Sequence, residues 1–223
     1  MQKRRRRTTT CPAGETSQTI DVDTTGKYWV SVIKGEASGS DTIEITMQYK
    51  TIKVETDFGD FRMWLYHSTP LHRQNFLGLT EQEFYDSLIF HRVVYDFVIQ
   101  GGDPDGTGYG GPGYTIPAEI LDELHHDYGA VGAARQDDYY NPERESNGSQ
   151  FYIVCDPDGE HYLDSLYTVF GFVFSGMDAI FEISQVPVDS VSKRPYDDVF
   201  MKNVSIENFT AEELENNFNY IIP

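Results

Sequence analysis

Cysteine is scarce in this chain of 223 residues: Cys11 and Cys155 are the only two. They are far apart, form no CxxC pair and lack zinc-ligand spacing, so a disulfide scaffold or a redox motif is excluded, while the redox compartment stays open. No run approaches 18 consecutive apolar residues, which excludes a membrane-spanning helix. Basic residues are few, 17 against 36 acidic, for a formal net charge of −19. Five of them sit at Lys3–Arg7, leaving 12 against 36 in the rest. A body this acidic repels phosphate backbones, so nucleic acid is not an expected partner. Thr8-Thr9-Thr10-Cys11-Pro12 follows the arginines where a signal peptide needs an apolar stretch. Residues 1–12 therefore read as a solvated basic tail. The expected location is cytoplasmic for the chain as written, and secreted or cell-surface if it is part of a longer protein.

Several chemical signatures are also missing. The six histidines (67, 72, 91, 125, 126 and 161) show no HExxH spacing, and the neighbours His125 and His126 are expected to point apart. Ser149 lies in Asn-Gly-Ser-Gln and not in a GxSxG elbow. Gly106-Thr107-Gly108-Tyr109-Gly110-Gly111 matches GxGxxG, but Pro112-Gly113 and Pro117 follow, so no helix N-terminus opens to hold a pyrophosphate. A loop with positive φ is the better reading. Asp103-Pro104-Asp105-Gly106 and Asp156-Pro157-Asp158-Gly159 begin like calcium loops, yet neither has the closing glutamate, and turns account for both. No metal and no cofactor are expected.

What is present is apolar and β-like. With 39% hydrophobic residues, 15 Tyr and 14 Phe, the chain can bury a core. Residues 13–48 are rich in Thr, Ser, Asp and Gly, with alternating stretches at Gln18–Asp23, Tyr28–Lys34 and Thr42–Met47. The run from Gly14 to Val30 resembles the final strands of immunoglobulin-like repeats of bacterial secreted proteins. A full sandwich needs roughly 100 residues and seven strands, so 13–48 is expected to be a partial module. From residue 49 the strands strengthen. Thr51–Glu55 and Phe61–Tyr66 flank an Asp57–Asp60 turn, and Ser68-Thr69-Pro70 starts a helix with a capping hydroxyl before Pro. Leu88–Val94, Phe97–Gln100, Ser149–Cys155, Thr168–Phe174 and Val199–Ile206 read as strands, with a second short helix after Gly176. Many strands, two short helices and no βαβ alternation predict a mainly β fold, a closed eight-stranded antiparallel barrel over 49–209 capped by two helices. Residues 210–223 are expected to be a tail.

The most specific signal is Phe90-His91-Arg92-Val93, then Gln100-Gly101-Gly102-Asp103, Gly106-Thr107-Gly108, Gly148-Ser149-Gln150-Phe151 and Val169-Phe170-Gly171. These elements, in this order, resemble the cyclophilin family of peptidyl-prolyl isomerases, over about 160 residues from Lys50 to Phe209. The resemblance implies catalysis of cis–trans exchange at Xaa-Pro bonds of polypeptides during protein folding, without covalent or acid–base chemistry. It assigns Arg92 to the proline nitrogen, Gln100 to orienting Arg92, and Phe97, Val98, Tyr152 and Leu163 to the proline slot. Gln150 would hold the peptide backbone.

Three departures from the family pattern concern ligand specificity. Tyr162 stands where the family often has Trp, and Tyr167 where His is common. Arg135, in Ala133-Ala134-Arg135-Gln136, takes the place of an Asn whose substrate contacts run largely through the backbone. The loop from Asp137 to Ser146 is also longer than in compact members. Tyr162, Tyr167 and Arg135 are thus expected beside the substrate, and the family's habit predicts a monomer. A proline-peptide binding or adhesion module with negligible turnover is the competing reading.

Overall fold

The computed structural model describes residues 25–34 and 37–222. The expected strand at 18–23, the basic tail and Cys11 lie outside the described residues. The first described elements are β1 (Gly26–Lys34) and β2 (Ala37–Ile45), then β3 (Tyr49–Thr56), β4 (Gly59–Leu65) and α1 (Pro70–Glu81). Next come β5 (Leu88–Ile89), β6 (Arg92–Val94), β7 (Val98–Gly101), β8 (Thr115–Ile116), β9 (Ala130–Ala133), β10 (Ser146–Asn147) and β11 (Phe151–Val154). A 3-10 turn (His161–Leu163), β12 (Val169–Ser175), α2 (Met177–Ser184), β13 (Phe200–Met201), β14 (Asn203–Phe209) and α3 (Ala211–Phe218) complete it.

One eight-stranded antiparallel sheet, ordered β14-β3-β4-β12-β9-β11-β7-β6, organises the domain. It does not close on itself, which corrects the expectation of a closed barrel. The chain breaks each edge strand in two: Leu88–Val94 splits at Phe90-His91 and Val199–Ile206 splits at Lys202. The short pieces β5 and β13 pair with each other in a separate ladder, tied by the amides of Ser87 and Phe90 to the carbonyls of Met201 and Val199. That ladder spans the seam between β6 and β14, whose own backbones never pair.

β1 and β2 form a separate two-stranded antiparallel sheet that joins no strand of the larger one. Part of 13–48 lies outside the described residues, and the resemblance drawn for that segment gains no support from the described hairpin. β9 was not anticipated. Its Ala-Val-Gly-Ala sequence is buried at every position, so it lacks the alternation that marks half-exposed strands.

The main core joins Ile52, Val54, Phe61, Met63 and Leu65 of β3 and β4 to Phe76 and Leu79 of α1 and Ile180 and Ile183 of α2. Phe76 stacks on Tyr85 at 4.5 Å and meets Phe151 edge-on at 5.3 Å. The start of α1 departs from its expected cap. The Thr69 side chain makes no cap hydrogen bond. Instead the Leu71 and His72 amides donate to the Glu119 carboxylate at 3.0 and 2.9 Å, so an acidic group 47 residues away serves the helix N-terminus.

A third helix occupies residues expected to be a tail. Thr210 accepts from the Glu213 amide at 3.1 Å while Glu213 accepts from the Thr210 amide at 2.7 Å, a capping box. Leu214 is fully buried, and Tyr220 stacks on Phe174 at 4.7 Å and packs near Trp64 at 6.0 Å. The Thr-x-x-Glu spacing was the available signal.

Candidate active site

The antiparallel register positions the central residues. β6 pairs Arg92 with Gln100 of β7, and β7 pairs Gln100 with Tyr152 of β11. Three side chains then continue the row as a relay. Arg92 Nη1 faces Gln100 Oε1 at 3.5 Å, Gln100 Nε2 donates to Gln150 Oε1 at 3.0 Å, and Gln150 Nε2 donates to the carbonyls of Gly108 and Gly110 at 3.1 and 2.8 Å.

Turn chemistry explains why Gln150 is held there. Asn147 Oδ1 accepts from the amides of Ser149 and Gln150, and its Nδ2 donates to the Gly110 carbonyl. Ser149 Oγ donates to the Gly102 carbonyl at 2.6 Å. Gly102 has φ +84°, and a Cβ there would lie 2.2 Å from the Ser149 carbonyl oxygen. The Gln-Gly-Gly-Asp and Gly-Ser-Gln-Phe segments therefore cross at backbone contact distance, which only glycine permits. The glycine-rich loop closes over Asp103, which is buried and accepts from the amides of Asp105, Thr107, Gly108 and Gly110. Burial opposes its charge, but those four donors hold its pKa below the usual carboxylate value. Gly106 and Gly108 have φ of +62° and +86°, in agreement with the loop reading.

An apolar floor adjoins this relay. Val98, Tyr152 and Leu163 are buried in one cluster, with Phe97, Tyr167 and Tyr66 packed against it. The Phe97 ring lies under the Arg92 guanidinium at 5.5 Å and parallel to the Tyr162 ring at 6.3 Å. Tyr162 is 65% exposed, a movable outer wall, while Tyr152 is 5% exposed and belongs to the floor. Burial lowers the Arg92 pKa, against which the nearby phenols of Tyr162 and Tyr167 act. Among the described residues no carboxylate comes within ion-pair distance of Arg92. Its charge is shared with an amide oxygen and a ring face, and stays available to a ligand.

Arg135 is committed elsewhere. Its Nε donates to the Leu166 carbonyl at 3.0 Å, Nη1 pairs with Asp138 at 2.5 Å, and its guanidinium lies 4.4 Å from the Tyr167 ring centre. With its side chain 4% exposed, Arg135 braces Tyr167 and the 137–146 loop, so its guanidinium is not free for substrate.

Sequence reasoning missed a polar network beneath the slot. His126 is fully buried; its Nδ1 donates to Asp164 Oδ1 at 2.7 Å, and its Nε2 accepts from the Tyr152 hydroxyl at 2.8 Å. The acceptor-only carboxylate fixes that tautomer. His125 and His161 also reach Asp164, through Oδ2. The neighbours His125 and His126, expected to diverge, thus converge on the two oxygens of one carboxylate. His126 and His125 lie 38 and 39 residues from Asp164, so no local spacing announced those two contacts.

Comparison with known proteins now bears on this geometry. Residues 51–210 match the family model described as cyclophilin type peptidyl-prolyl cis-trans isomerase/CLD. The chain belongs to this family. It is 35% identical over 161 residues to human peptidyl-prolyl cis-trans isomerase-like 3, covering 70% of this chain and 95% of that protein. It is 39% identical to peptidyl-prolyl cis-trans isomerase-like 1 of Neurospora crassa, covering 74% and 97%. A solved cyclophilin of Cryptosporidium parvum, crystallised in the presence of the dipeptide Ala-Pro, superposes with a TM-score of 0.64 at 32% identity, covering 70% of this chain and 98% of that one. These relatives are eukaryotic, so the bacterial origin hinted at by residues 13–48 finds no support. Among the described residues no helix is long and apolar enough to cross a membrane.

Proposed function

We propose that this cyclophilin catalyses cis–trans exchange of Xaa-Pro bonds in flexible polypeptides, with Arg92 as the group that acts on the reacting amide. Peptide resonance raises a barrier of about 18–20 kcal/mol, while the two X-Pro isomers differ by only about 0.5–1 kcal/mol. Catalysis then requires tighter binding of the twisted amide than of either planar form. Twisting returns the lone pair to the proline nitrogen and makes it an acceptor. A fixed guanidinium aimed at that nitrogen stabilises the twisted state selectively.

The observation that supports this most directly is the half-buried, carboxylate-free Arg92, held between Gln100 and the Phe97 ring. A proline ring seated on Phe97, Val98, Tyr152 and Leu163, with Gln150 beside the peptide backbone, would place its nitrogen toward that charge. Tyr162 and Tyr167 then border the residues flanking proline and set preference among sequences. Among the described residues none before Tyr49 contributes a group to this arrangement, and we assign residues 1–48 no catalytic part.

NMR exchange spectroscopy on a short Ala-Pro peptide tests the reading. Line-broadening or exchange cross-peaks at catalytic protein concentration are the expected result. Saturable binding with no acceleration of exchange would instead establish a proline-peptide binding module.

A further inference from the structure

We infer that His125, His161 and Asp164 form a binding site for a divalent transition-metal ion of the zinc class, on the outer side of the turn that bears Tyr162 and Leu163. The site is distinct from the groups that face substrate and does not depend on the isomerase reading.

His125 Nδ1 and His161 Nδ1 lie 3.1 and 3.2 Å from the same oxygen, Asp164 Oδ2, and one donor atom from each residue lies within 4.8 Å of the other two. Zinc binds imidazole nitrogen and carboxylate oxygen at about 2.0–2.2 Å in tetrahedral geometry, which separates neighbouring donors by about 3.3 Å. The two nitrogen–oxygen separations therefore match what a shared tetrahedral ion needs, and the two imidazoles, whose donor atoms lie within 4.8 Å of each other, complete the set by small side-chain rotations. Two imidazoles and one carboxylate suit zinc-class ions, whereas calcium and magnesium call for more oxygen ligands.

Access and rigidity agree with that reading. The His125 and His161 side chains are 51% and 55% exposed, so an ion can arrive from solvent and keep water as its fourth ligand. The carboxylate is already immobilised. Its other oxygen, Oδ1, accepts from the His126 amide at 2.8 Å and the His126 ring at 2.7 Å. Such outer partners orient metal ligands and are worth on the order of 10- to 100-fold in affinity. When Nδ1 of His161 binds the ion, its proton resides on Nε2, which faces Asp127 at 3.8 Å. A net charge of −19 adds long-range attraction for cations.

Titration of the full chain with Zn2+ against a chromogenic chelator should reveal one site that Ca2+ and Mg2+ do not fill. Co2+ at the same site should give the intense visible absorption of tetrahedral coordination without a thiolate charge-transfer band. In NMR spectra one equivalent of Zn2+ should shift the amides of His125, His126 and residues 161–164. His125→Ala and His161→Ala should each weaken binding on the order of 10- to 100-fold, with circular dichroism unchanged because both rings are exposed. Failure of the wild-type chain to compete with the chelator would overturn the site. So would equal Zn2+ affinity in wild type and the double variant, or shifts confined to other residues.

Discussion

The side-chain amide of Gln100 donates to Oε1 of Gln150 at 3.0 Å, across the β7–β11 pair. That bond fixes which end of the Gln100 amide faces β6. Its Nε2 is turned to Gln150, so its oxygen is presented to the Arg92 guanidinium. Gln150 is oriented in turn by two carbonyls of the glycine-rich loop. The direction of every donor in this row is thus set by the loop at its far end, and the charged group at the near end is positioned without a carboxylate to neutralise it.

Arg92→Ala should lower kcat and kcat/KM together with little change in peptide affinity, because the contact forms in the twisted state. A charged hydrogen bond is worth about 1.5–3 kcal/mol, which corresponds to a loss on the order of 10- to 100-fold. Arg92→Lys should recover little, since an ammonium cannot touch substrate and Gln100 at once. NMR exchange on one Ala-Pro peptide decides it: undiminished turnover in a folded Ala variant removes Arg92 from the mechanism.

Tyr152→Phe should destabilise the fold by about 1–3 kcal/mol, because it leaves buried His126 Nε2 without its donor. Urea unfolding measures the loss. In combination with His126→Leu the two costs should be less than additive, as the second change removes the group orphaned by the first. Strict additivity would mean that the hydroxyl and the ring do not interact.

Cyclosporin-type macrocycles should inhibit this protein weakly compared with cyclophilins that carry Trp in the outer wall. Tyr162 stacks on Phe97 and lies largely in solvent, and its phenol cannot present the indole N–H donor. Tyr162→Trp should tighten inhibition, read as a fall in the inhibitory concentration. Equal values for the two proteins would refute the idea.

Stability should decline in two steps on acidification. Burial lowers the pKa of His72, His91 and His126. Below the unfolded value of about 6.5 the unfolded chain therefore binds more protons than the native one. Their contribution is complete above that pH and is lost as pH falls through the window beneath it. For Asp164, burial favours the neutral acid, yet hydrogen bonds from His126, His125 and His161 prevail and depress its pKa strongly. Its contribution is present above pH of about 4 and is lost below. Urea midpoints from pH 8 to pH 3 check this, and His91→Leu should flatten the first step, since neither ring nitrogen of His91 has a partner. A midpoint constant from pH 7.5 to 5 would contradict the assignment.

The proline-binding and catalytic candidates were legible through motifs that resemble the cyclophilin family, and the structure supplies the local chemistry behind two of those motifs. Gln-Gly-Gly-Asp requires a positive φ at Gly102 and a buried carboxylate that gathers loop amides. Asn-Gly-Ser-Gln requires an asparagine-anchored turn that aims Gln150. Alternation likewise marked β3 and β4, and the proline after Thr69 marked α1. Local sequence stops at partners that are distant along the chain. Only the folded structure showed that Glu119 caps α1 and that β9 is a strand, because the first depends on a loop 47 residues away and the second on burial of both faces. The same holds for the open seam bridged by β5 and β13, and for the engagement of Arg135 with Asp138 and the Tyr167 ring. The sequence by itself supplied five ordered motifs whose resemblance to the cyclophilin family indicated which groups can act on a prolyl bond. Which of them are free to act was decided by long-range packing, as was the meeting of His125 and His126 on Asp164, 39 and 38 residues away, beside the local contact from His161.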